Sequence, residues 1–471
     1  MRIILIIAAI IFSNMMLLSQ DFKEENKEAP KYKMFRAEEN YGYLKDKENT
    51  PYEKDYLDVL KFIPLNKTKD INLLFGGEIR PRLEHFSNRN WEEEKETFYT
   101  QRLSFHTNLN ITKYVKVFGE VYHGSVSLEE EEFAQSDQLD LHQGFIELKI
   151  PMGTNSNLKF RAGRQELALG SARLLGLREG PNIRRTYDMG RAIFYHKKTK
   201  IDVFYGKEVK PSFGLFDNEF NLFSSTSTNA ELWGIYSQFS IKNDIGKNEL
   251  YYLGFHSKSS FYNDASGDDR RHTLGLRRFG KINKAWRYNT EIMVQFGETG
   301  GKKVTAWAFE TDWHYQFYKK KLEPELGLKL DVISGDSKSG DNTIETFNPM
   351  FTNPAYFSLA GTIAPVNLIE FHPSISLKPT EKTKVYIEFA SFYRFSISDG
   401  VYSPPRFLNR EGNTITERFV GNQFGLKLEL EIDRHFSFDF DLSYFLAGKF
   451  LEQTGGAENI LHVAPTLTYK F

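Results

Sequence analysis

The sequence predicts an all-β fold: a closed transmembrane antiparallel β-barrel of about 18 strands, of the outer-membrane type. Three observations predict it. Strict two-residue alternation of apolar and polar side chains begins near residue 71 and recurs to the C-terminus. Most alternating segments run about ten residues, longer than the usual soluble strand and long enough to cross a bilayer core when tilted. The connections alternate between tight polar turns, such as "HKKTK", "KKK" and Asp433-Arg434, and long stretches such as 207–230, 335–364 and 397–418.

Each element follows in order. Met1 and Arg2 precede the apolar run "IILIIAAIIF" and the exit "SNMMLLSQ", the layout of a secretory signal over residues 1–20. Residues 21–70 are rich in Lys, Glu, Tyr and Asn without a sustained period and read as an irregular charged leader before the folded body. The barrel occupies residues 71–471. In "FGGEIRPRLEHF", Phe75, Gly77, Ile79, Pro81 and Leu83 share one parity, and Glu78, Arg80, Arg82 and Glu84 share the other. The same alternation places strands near 72–86, 99–111, 114–125, 138–150, 158–169, 191–197, 200–207, 231–241 and 248–257. It continues near 270–280, 286–297, 304–318, 322–334, 365–378, 383–396, 419–432, 435–447 and 459–471.

Composition narrows the function. Lys+Arg 61 against Asp+Glu 62 leaves a net charge of -1, so no whole-molecule field attracts nucleic acid. Aromatic residues reach 15% while mean hydropathy is -0.48, a pairing odd for a soluble globule. Cysteine is absent, which excludes disulfides, thiolate metal sites, cysteine nucleophiles and a lipid-modified N-terminal cysteine. A propeller or solenoid would show a repeat at fixed period, and none is present. No zinc-protease, serine-hydrolase, P-loop or dinucleotide motif occurs, so no enzyme or cofactor is expected. His85, His106, His123, His142 and His314 leave open a barrel-borne hydrolase or adhesive barrel with a closed lumen. "SGDSKSGDN" at 334–342, with Asp336 and Asp341, and "LEEEEF" at 128–133 read as exposed loops rather than metal sites.

If the apolar parity faces lipid, the other parity lines the lumen with both signs of charge, including Arg80, Arg82, Glu84, Arg102, Glu120, Glu291, Glu310, Asp331 and Glu370. The stretch "GRQELALGSARLLGLREGPNIRRTYDMGR", 163–191, holds Arg164, Arg173, Arg178, Arg184, Arg185 and Arg191 and no lysine. It spans a strand end, a looped junction and the next strand, at or inside the mouth. A guanidinium grips carboxylates at two points and stays charged at any working pH. Glu166, Glu179 and Asp188 would steady these arginines and moderate their field, because conduction needs a guest that also leaves. The alternative is that the pairs staple a loop to the wall.

At these residues the sequence resembles the alginate export family. "GRQELALGSARLLGLREGPNIRRTYD", "GGEIRPRLE", "FNPMF" and the "DGVY" of 399–402 bear the resemblance, over about residues 70–471. The family implies an eighteen-stranded barrel in the outer membrane of a Gram-negative bacterium, with an arginine-lined constriction for a polyuronate. Carried over, the selectivity role falls on Arg164, Arg173, Arg184 and Arg185, with Asp188 as partner. The chain departs from that pattern in the number of its acidic inward positions. The final "LHVAPTLTYKF" resembles the ending that the outer-membrane barrel assembly machinery recognises. The expected function is therefore a passive channel, in outer-membrane lipid, for an anionic saccharide or small carboxylate solute, with an unselective small-solute porin as the alternative.

Overall fold

The computed structural model describes residues 29–46, 50, 52–127, 134–224, 229–241, 246–357, 359–413 and 415–471. The signal segment and "LEEEEF" lie outside the described residues. Eighteen long strands form the barrel wall: β1 Ile71–Ser87, β2 Lys95–Ile111, β3 Val115–Val126, β4 Asp137–Pro151, β5 Ser156–Glu166 and β6 Thr186–His196. Next come β7 Thr199–Glu208, β8 Glu231–Phe239, β9 Gly246–Phe261, β10 Ser266–Lys281, β11 Trp286–Thr299 and β12 Lys302–Gln316. The last six are β13 Glu325–Ile333, β14 Leu368–Thr380, β15 Thr383–Arg394, β16 Phe419–Glu431, β17 Phe436–Ala447 and β18 Ile460–Lys470. Each pairs antiparallel with its neighbours in sequence, and β18 returns to β1 through Glu78 opposite Lys470 and Ile79 opposite Tyr469. Closure leaves no edge strand, the condition for strands to span hydrocarbon.

The parity read from the sequence is the parity observed. On β10, Leu274 is 47% and Leu276 51% exposed, whereas Thr273 and Arg271 are fully buried. Leucines bare on a wall with charges sealed behind it invert the soluble pattern and fit lipid outside.

The lumen is occupied from both ends. At the long-loop end, residues 167–185, 334–357, 359–367, 395–413, 415–418 and 448–459 fold inward. Leu174, Leu175, Met350, Phe351, Phe357, Tyr402, Phe450 and Leu451 join inward wall residues such as Tyr251, Phe255 and Phe392 in one buried cluster. Each such side chain removed from water contributes about 1.5–3 kcal/mol, enough to hold loops of this length inside.

At the tight-turn end the leader docks. Ala37 packs on Phe118 and Phe145, and Arg36 donates to the carbonyls of Gly77 at 3.0 Å and Phe471 at 2.8 Å. Ile63–Pro64 adds a short antiparallel pairing to Leu73 and Asn72. This docking goes beyond the sequence reading of a leader lying before the body. Its contacts mix polar anchors with small apolar clusters, such as Tyr41, Leu44 and Phe62 against Leu74, that follow no period, so no pattern announces them.

Two local readings also change. β6 starts at Thr186 rather than 191, because Thr186–Gly190 pairs with β5 and Tyr187–Gly190 with β7. Within "SGDSKSGDN" the residues 337–340 are exposed, but Asp336 is buried and its backbone N–H donates to Asp399 Oδ2 at 2.9 Å.

Candidate functional site

Register sets like charges directly opposite one another on two walls. Arg80 on β1 faces Arg102 on β2. Ten strands further round the barrel, Glu291, Glu310, Asp331 and Glu370 stand in one unbroken cross-strand row over β11 to β14. Like charges opposed on neighbouring strands repel, so each row calls for a counter-charge from elsewhere.

The loop 167–185 supplies both. Its Glu179 reaches the basic row: Oε1 accepts from Arg80 Nη1 at 3.3 Å and from Arg102 Nη1 at 3.0 Å. Arg80 and Arg102 also grip the backbone carbonyls of Glu179, Gly180, Pro181 and Asn182. Burial pushes the Glu179 carboxyl up, but the charges of Arg184 and Arg102 outweigh it and hold the group well below the usual carboxylate range. At the other end Arg173, 1% exposed, enters the acidic row, 3.1 Å from Glu291 Oε2 and 2.5 Å from Glu310 Oε2. Its guanidinium lies 4.8 Å above the Tyr356 ring, and Ser171 adds a bond to Glu291 at 2.8 Å. The loop is thus a strap across the lumen with a cation hooked into one wall and an anion into the other.

The remaining arginines of the stretch close this arrangement. Arg184 pairs with Glu179, stands 3.6 Å from Glu166 and donates to the Met34 carbonyl of the leader at 3.3 Å. Strap and leader therefore meet inside the barrel. Arg185 binds Glu208 at 3.0 Å and the Phe351 carbonyl at 2.7 Å. Arg178 donates to the Ile183 carbonyl and closes the loop tip on itself.

Arg164 and Asp188 face each other across β5 and β6 at 2.8 Å. They fall on the parity of the outward-facing Phe160 and Ala162, and the carbonyls of Asn218 and Glu219 in the following loop cap the guanidinium. Arg191 is inward and bound to Asp202 at 2.8 Å. Arg82 and His462 share Glu84 at 3.1 and 2.8 Å, and Glu120 accepts from Gln143 at 2.7 Å.

The structure brings Arg80, Arg102, Arg173, Arg178, Arg184 and Arg185 together on or around one loop, and leaves Arg164 with Asp188 outside that group. Sequence reading missed Tyr356 and Arg36. It also missed a cavity of ≈ 570 Å³ at the tight-turn end, where Lys33, Lys61, Lys69, Lys113, Lys116 and Lys159 outnumber the acids around them. Residues 21–70 carry twelve Asp and Glu against eleven Lys and Arg, so no charge excess announced it.

The barrel has solved counterparts. The Pseudomonas aeruginosa OccK2 (OpdF) structure in complex with glucuronate superposes with a TM-score of 0.52 at 12% identity, covering 87% of this chain and 99% of that one. Pseudomonas aeruginosa OpdO gives 0.55 at 10%, covering 86% and 99%. A BenF-like porin from Pseudomonas fluorescens Pf-5 gives 0.53 at 9%, covering 85% and 98%. These likenesses show a shared fold, that of outer-membrane porins. No curated relative matches the sequence. The alginate export family model matches residues 71–461; with the closed barrel, this establishes a non-enzymatic outer-membrane channel, and the chain belongs to the alginate export family.

Proposed function

We propose that the channel passes anionic saccharides or other small carboxylates, and that Arg80, Arg102 and Arg184 form its selective constriction. The observation supporting this reading is Glu179. The chain's own carboxylate, with 37% of its side chain exposed, already sits among three guanidiniums that are almost completely covered. A solute carboxylate presents the same two oxygens and competes for the same forks. Because the seat is already filled, a guest gains only the difference between its own contacts and those of Glu179, which favours release as well as entry. The lysine-rich cavity at the tight-turn end offers the same sign of charge to a solute on that side. The apolar outer wall, with Leu274 and Leu276 bare, suits outer-membrane lipid, and the last strand with the Phe471 that follows it suits the barrel assembly machinery.

Permeation of glucuronate and glucose into vesicles holding the purified barrel tests the reading. Arg80→Gln with Arg102→Gln is expected to lower glucuronate entry while leaving glucose entry unchanged. An unaltered ratio of the two fluxes assigns the molecule to unselective small-solute porins instead.

A further inference from the structure

We propose that Glu120, His142 and Glu166 form a binding site for a divalent transition metal of the zinc class, built into the inner wall at the foot of the strap. The residues come from three consecutive strands, β3, β4 and the end of β5. A register irregularity brings them together. Glu120 pairs with Gln143 and Val121 with Leu141, so His142 is one residue too many on β4. Bulges of this kind re-aim a side chain. Here the extra imidazole turns inward and stacks on Tyr122, with ring centroids 3.7 Å apart and planes within 10°.

The donor set is that of a low-coordinate cation. One oxygen of each carboxylate and one imidazole nitrogen lie within 4.8 Å of one another. Donors around a tetrahedral zinc stand about 3.3 Å apart, so side-chain torsions alone close the gap. A mixed nitrogen and oxygen set suits zinc or a neighbouring first-row ion, whereas calcium and magnesium require more oxygens than these side chains provide.

Independent observations point to a missing positive partner. Glu120 Oε1 and Glu166 Oε2 are buried without a hydrogen bond from any described residue. His106, fully buried, has neither ring nitrogen bonded among the described residues, and its Nδ1 lies 3.9 Å from the same Glu120 Oε1. A Cβ on Gly76 would meet the His106 ring at 2.5 Å, so the glycine makes room for that imidazole. His106 thus stands beside the cluster on its Glu120 side. Outer contacts orient the ligands: Gln143 holds the second Glu120 oxygen at 2.7 Å, and Arg184 stands 3.6 Å from Glu166. A bound ion would brace β3 to β5 at the point where the strap leaves the wall, whichever solute passes.

Titration of the metal-stripped, folded, full-length barrel with zinc sulfate tests the proposal. One equivalent is expected to bind, with affinity lowered tenfold or more in Glu120→Gln and in His142→Gln and unchanged in His314→Gln. Cobalt loaded into the native chain, which needs no variant to fold, is expected to give the intense visible bands of low coordination. Absence of zinc binding, equal binding in Glu120→Gln, full competition by magnesium, or the weak bands of six-coordinate cobalt would each overturn the assignment. None of these outcomes bears on glucuronate selectivity.

Discussion

Replacing Glu179 by glutamine should unhook one end of the strap while preserving its shape. The carboxylate engages Arg102, fully buried, with Arg80 and Arg184 at 6% and 4% exposed. A hydrogen bond to a charged group is worth about 1.5–3 kcal/mol. Three such contacts set an upper bound well above the true effect, because Glu179 is itself 37% exposed and screened by water. Glutamine also keeps one acceptor. The expected loss of strap docking is about 2–3 kcal/mol, roughly a 30- to 150-fold shift toward the released state. The chain has no cysteine, so a single Leu174→Cys in the loop, a position 5% exposed when docked, reports release through its rate of thiol labelling. Glu179→Gln in that background should speed labelling by that factor. A rate within about twofold of the parent would refute the idea that the Glu179 contacts hold the strap.

Two further outcomes follow from other parts of the wall. Leu274, 47% exposed near the middle of β10, faces hydrocarbon, so Leu274→Arg should cost about 2–4 kcal/mol for folding into phospholipid vesicles, measured from the shift in urea midpoint. In the leader, burial and the nearby Arg36 push the Lys61 amine down from 10.5 to about 7. The docked leader thus holds this proton less tightly than the free segment, and docking strengthens as pH rises from about 7 toward 10.5. Protease nicking of the leader should be slower at about pH 9 than at about pH 6.5 in the native chain, and insensitive to that change in Lys61→Met.

The wall was legible because a strand's two faces meet different solvents, and period two records that difference residue by residue. Phe75, Ile79 and Leu83 against Glu78, Arg80 and Glu84 already state which side is wet. The alignment of Glu291, Glu310, Asp331 and Glu370 was not legible, since register between strands depends on turn geometry that alternation alone does not fix. The strap was half legible: six arginines without lysine announced a site, yet which acid each one meets is a long-range fact. Arg173 finds Glu291 and Glu310, more than a hundred positions away. Arg164 shows the limit of carrying a role over by resemblance, because its parity is that of the outward-facing Phe160 and the structure places it with Asp188 under the following loop. The leader gave no warning, as Arg36 and Lys61 act on the backbone carbonyls of Gly77, Phe471 and Phe75, and its apolar contacts follow no period.

The reversal potential across a planar bilayer under a salt gradient addresses the central claim most directly. A barrel whose passage runs beside Arg80, Arg102 and Arg184 should conduct, with a reversal potential on the anion side that moves toward zero in Arg184→Ala. A cation-side potential, or a bilayer that stays silent after insertion, would contradict the account.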